Sequence, residues 1–97
     1  MFVFVVRYLS FGDGGGTDAG NMEICYADEH DAEKAMLEDM ENVYNEWCKT
    51  AKDGMNIVKV IGEKNPNGCS DYGIVHDESG IYHGECGWWI DKLELKG

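Results

Sequence analysis

Four side chains of the kinds that ligate zinc, Cys69, His76, His83 and Cys86, fall within one short stretch near the end of the chain. Whether they meet depends on strand parity, because alternate residues of a strand point to opposite faces. If Asp77 to Gly80 forms a four-residue hairpin loop, His76 faces Ile81 across the hairpin. That places His76 and His83 on one side and Cys69 and Cys86 on the other. A three-residue loop brings Cys86 toward His76 but turns His83 away, so neither register assembles all four without a bulge. The expectation is small thiols filling a sheet, with no metal and no cofactor, and a zinc-binding module is only an alternative.

The four-residue register also leaves Cys69 and Cys86 diagonal on one face, a disulfide geometry. The four cysteines, Cys25, Cys48, Cys69 and Cys86, contain no C-x-x-C pair, and no basic leader precedes the first apolar run. Reduced thiols in a cytoplasmic protein of the host cell are therefore expected. Three histidines and four cysteines form no recognisable nucleophile-and-base motif, and the reading is of a protein that is not an enzyme.

Two other stretches invite chemistry. The run from Gly12 to Asp18 has the glycines of a phosphate loop, but it leads into a strand, lacks a lysine and carries two acids. Nor do Asp13, Thr17 and Asp18 have calcium-loop spacing or its closing glutamate. A glycine-rich hairpin connection accounts for it. Trp88 and Trp89 are adjacent in a predicted strand, so one must join the core while the other sits on the open face as an interface anchor.

The strongest signal is charge. Nineteen acidic residues against eight basic ones give a net charge of -11, and Arg7 is the only arginine. Direct binding to nucleic acid or to an anionic membrane needs clustered Lys and Arg, so this balance excludes both and favours a basic protein partner. An apolar fraction of 43% separates the chain from acidic disordered tails. Its 97 residues suit one domain, 1–97, with a single core.

The elements that must position these residues follow from periodicity. Residues 2 to 9 alternate Phe2, Phe4, Val6 and Tyr8 with Val3, Val5 and Leu9, so both faces are apolar and the strand belongs inside a sheet. Residues 22 to 26 alternate as a second strand. Asp28 is placed to cap a helix, with Glu29 and Asp31 in its first turn. Ala32, Met36, Met40, Val43, Trp47 and Ala51 recur on one stripe, and Gly54 is the expected stop. Three further strands are expected at 55 to 63, 70 to 76 and 81 to 95. They are separated by Asn65-Pro66-Asn67-Gly68 and by Asp77-Glu78-Ser79-Gly80, and Gly84 and Gly87 are candidates for a bulge. The order is β-β-α-β-β-β, an α+β fold in which one long helix covers an antiparallel sheet of about five strands.

On the helical projection Asp31, Glu38, Asp39, Glu41 and Glu46 occupy the arc away from the apolar stripe, interrupted by Lys34, Lys49 and Lys52. Acids three or four apart stand about 5 to 6 Å from one another, a spacing that compares with nucleic-acid phosphates. In size, charge and simple α+β build the chain resembles the small acidic inhibitors carried by phages and mobile elements, including anti-CRISPR proteins and other DNA mimics. The resemblance implies an inhibitor of a host defence nuclease, such as a CRISPR-Cas effector, that occupies its nucleic-acid channel or a neighbouring basic surface. It carries no residue string from which site residues transfer. The expected partner-binding residues, Asp31, Glu38, Asp39, Glu41, Glu46, Trp88 and Trp89, come from the charge and strand arguments alone. The alternative is a small protein–protein interaction module that uses a sheet edge or the exposed tryptophan.

Overall fold

The computed structural model describes residues 1–12, 17–64 and 71–96. The elements are β1 (Phe2–Phe11), β2 (Thr17–Tyr26), α1 (Glu29–Thr50), β3 (Ile57–Lys64), β4 (Asp71–Asp77) and β5 (Glu85–Glu94). They form the expected α+β arrangement. One antiparallel sheet of order β2-β1-β5-β4-β3 carries a single helix. The interior position of β1, between β2 and β5, accords with its two apolar faces.

The chain enters α1 from one edge strand and leaves it into the other, so the helix runs over the whole sheet and touches all five strands. Asp28, in extended conformation, accepts a 2.8 Å hydrogen bond from His30 N and satisfies one of the helix's open donors. The helix stops at Thr50, earlier than Gly54 predicts. Ala51 is already extended, and the Thr50 hydroxyl donates back to the Glu46 and Trp47 carbonyls, while Gly54 serves the next turn at φ +88.

Ala32, Met36 and Met40 bury against Val6, Val75, Trp88 and Ile90, while Val43, Trp47 and Ala51 pack at the margin of this core. The stripe from Ala32 to Trp47 is therefore the helix's inner face, and Ala51 continues the packing just beyond the helix end. Fully burying a side chain such as Val6 or Met36 is worth about 1.5–3 kcal/mol, so these few contacts dominate the helix–sheet attachment.

Two irregularities shape the sheet. Between the pairs Val5↔Cys25 and Arg7↔Asn21, three residues of β2 lie opposite Val6 alone, and β3 carries an extra residue between Ile61 and Glu63. Both lie on edge strands, whereas Gly87 pairs regularly with Leu9 and Ile74 and marks no bulge. Gly84 ends a loop, where a Cβ would run into the Tyr82 ring.

The β4–β5 connection corrects the expected tight hairpin. His76 pairs with Glu85 rather than Ile81, and β5 begins at Glu85. The cause is Asp77, only 5% exposed. Its Oδ1 accepts from Asn56 N at 2.8 Å, Ser79 N at 3.0 Å and the Ser79 hydroxyl at 2.7 Å, and its Oδ2 accepts from Tyr82 N at 2.9 Å. One carboxylate thus organises the loop and ties it to the start of β3. Burial opposes ionisation of Asp77, but hydrogen bonds from the Ser79 hydroxyl and from the Tyr82, Asn56 and Ser79 backbone outweigh it and hold the carboxyl far below its usual range. The Asn65–Gly68 turn, Ser70, Cys69 and the centre of the glycine loop, residues 13–16, lie outside the described residues.

Candidate functional site

The outer side of α1 carries the acids, but they divide into exposed and engaged groups. Asp31, Glu38 and Glu46 are exposed, and no hydrogen bond or ion pair is described for their side chains. Glu41 is exposed too, yet it pairs with Lys59 Nζ from β3, and that ammonium also lies 4.8 Å from the centroid of the Tyr44 ring.

Asp39 departs from the expected outward position. It sits about 60° from the centre of the apolar stripe rather than opposite it, and its Oδ2 accepts a 2.7 Å hydrogen bond from Trp88 Nε1. The indole explains the placement: a buried Trp N–H needs an acceptor, and Asp39 supplies one from the helix flank. Trp88 itself is 2% exposed and belongs to the core, so it is not an exposed contact residue.

Trp89 takes the opposite face, as strand parity requires, and is half-buried. Arg7, paired with Asp91, lies directly across from it, and the exposed Leu9 and Leu93 share this face. This face of the sheet carries no helix.

Two adjoining cavities flank α1 on the helix side of the sheet. One, of about 470 Å³, is lined by Tyr8, Met22, Asp39, Val43, Trp47 and Trp88, with Ser10 and Cys86 also at its wall. The other, of about 560 Å³, shares Ser10 and Trp47 and adds Ile57, Ile81 and Tyr82. Trp47 and Tyr82 meet edge to face at the boundary, with centroids 5.4 Å apart. Tyr82 is not expected in this role from the sequence, where residues 81 to 84 read as strand. The signal that could have found it is Asp77-x-Ser79-Gly80, which suits a side-chain-capped turn as well as a hairpin.

The zinc candidates do not assemble among the described residues. Cys86 faces the helix beside Val75, His76 lies on the open face, and His83 is in the β4–β5 connection; Cys69 lies outside the described residues. No group of three or more His, Cys, Asp or Glu side chains placed to hold a metal is found among those described. Burial pushes the Cys86 thiol up, partly offset by its hydrogen bond to Ser10 Oγ at 3.3 Å. That setting suits a packing residue rather than a nucleophile. No helix among the described residues is long and apolar enough to cross a membrane. No protein-family model matches the chain, and it shows no significant similarity to a curated protein or to a solved structure.

Proposed function

We propose that this chain is a non-enzymatic inhibitor that binds a basic, nucleic-acid-binding surface of a bacterial defence nuclease, such as a CRISPR-Cas effector, through the acidic face of α1. The observation that supports it is the placement of Asp31, Glu38 and Glu46, exposed and without a described partner, on a helix whose opposite side packs into the core. From Asp31 to Glu46 the face extends about 22 Å at 1.5 Å per residue, enough to span several phosphate positions of a nucleic-acid strand. Capping and the helix dipole account for Asp28, Glu29 and part of Asp31, but not for Glu38 or Glu46.

The test is affinity capture from cells that carry candidate defence nucleases, repeated at low and high salt. Capture that falls steeply with salt and is reduced by Glu38→Lys with Glu46→Lys supports the reading, and capture indifferent to both sinks it. Glu41 is the poorer probe, because its reversal also disturbs Lys59.

The second reading is a salt-insensitive interaction module. The uncovered sheet face around Trp89, Leu9 and Leu93 favours it. There Trp89→Ala would abolish capture while the glutamate reversals would leave it intact.

A further inference from the structure

The 470 Å³ cavity beside α1 combines an apolar, largely aromatic wall with one carboxylate. Asp39, Val43 and Trp47 stand at successive four-residue steps on the helix, and Tyr8 and Trp88 are cross-strand partners on β1 and β5, so two rigid elements build the site from both sides. Its volume lies within the ordinary range of ligand pockets, about 300–1,000 Å³.

Asp39 is only half used. Oδ2 takes the Trp88 indole N–H, the one hydrogen bond described for this side chain. No buried side-chain nitrogen or oxygen among the described residues lacks a partner, so Oδ1 must reach solvent. Nor does any described basic side chain pair with Asp39, since Arg7 is held by Asp91 and Lys59 by Glu41. A carboxylate held in place by an indole and set beside aromatic rings attracts an organic cation more strongly than a freely rotating surface acid does. Glu46, about two turns further along the same flank, adds negative potential at the approach.

We propose that this cavity receives a single Lys or Arg side chain from a basic protein partner. The apolar stem lies against Met22, Val43 and Tyr8, and the cationic head meets Asp39 Oδ1. The proposal rests on the acidic-inhibitor reading and deepens it: the exposed acids steer the partner, and the cavity fixes its register by holding one residue.

The test uses the isolated, isotopically labelled chain and reads its tryptophan indole resonances by NMR. The probes are N-acetyl-lysine amide and N-acetyl-arginine amide, with N-acetyl-norleucine amide as the uncharged control. Trp89, on the opposite face, serves as an internal reference. The expected result is a saturable shift of the Trp88 and Trp47 resonances with the cationic probes, at least about threefold weaker binding of norleucine, and loss of that preference in Asp39→Asn, whose amide oxygen can still accept from the indole. Equal response to norleucine, an unchanged preference in Asp39→Asn, or no shift up to about 0.1 M probe overturns the proposal. Salt-sensitive capture reduced by the Glu38 and Glu46 reversals but unaffected by Asp39→Asn overturns the cavity's role and leaves the acidic-face reading standing. A cation response that needs Asp39, alongside capture indifferent to salt, supports the cavity's chemistry and sinks the reading to which it is attached.

Discussion

Trp88 Nε1 donates to Asp39 Oδ2 at 2.7 Å, joining the middle of the sheet to the flank of the helix through the largest buried side chain in the core. Hydrogen bonds to charged acceptors contribute about 1.5–3 kcal/mol, and removing the acceptor leaves an indole N–H in a poorly hydrated site. Asp39→Ala is therefore expected to lower unfolding stability by about 1.5–3 kcal/mol in urea titration. Asp39→Asn should lose less than half as much. Equal losses would mean that the carboxylate's charge, not its acceptor oxygen, holds the indole.

Asp77 makes stability depend on acid. Its folded carboxyl titrates well below the ordinary 3.8, so the unfolded chain takes up this proton first as pH falls. The stabilisation is complete above the unfolded value and is lost as pH drops from about 4 toward the depressed folded value. Relief of repulsion among the other acids acts in the opposite direction, so the comparison must be with Asp77→Asn. That variant should melt lower at pH 7, and its midpoint should fall less than the parent's between pH 4 and 2. Parallel midpoint curves would show that the hydrogen bonds to Asp77 do not favour its ionised form.

The fold was legible where periodicity acts on many residues at once, and illegible where one side chain decides. Alternation in β1 and the stripe from Ala32 to Trp47 identify an interior strand of the sheet and the helix's inner face, because burial selects every second or every third-to-fourth residue. The β4–β5 register was not legible, since it turns on four donors converging on Asp77, which a residue-by-residue turn propensity does not encode. Asp39 was misplaced for a related reason. A projection separates polar from apolar arcs but does not show that a tryptophan from another element lies beneath the boundary. Glu38 and Glu46 needed only the projection, and they are exposed as it implied.

The thiols should separate by position. Cys25 and Cys48 are exposed, whereas Cys86 is buried, hydrogen-bonded to Ser10 and shifted up by burial. Brief maleimide treatment at pH 7.5 followed by peptide mapping should find Cys25 and Cys48 modified and Cys86 protected by about tenfold or more in rate. Rapid labelling of Cys86 in the native protein would show that the helix–sheet margin opens readily.

Gly73 and Met40 should be energetically coupled. A Cβ on Gly73 would collide with the Met40 thioether, which is 1% exposed and closed in by the core, so the absence of a side chain on β4 is what lets α1 approach the sheet here. Gly73→Ala overpacks this contact and is expected to cost about 1–3 kcal/mol. Met40→Ala alone creates a cavity and should cost about 2–5 kcal/mol. In the double variant the new methyl group occupies space that the thioether vacated, so the combined loss should fall short of the sum of the single losses by about 1 kcal/mol or more. Denaturant unfolding of all four proteins checks this. Strict additivity would mean that Met40 swings away from Gly73 at little cost and that the glycine is not what sets the helix–sheet distance.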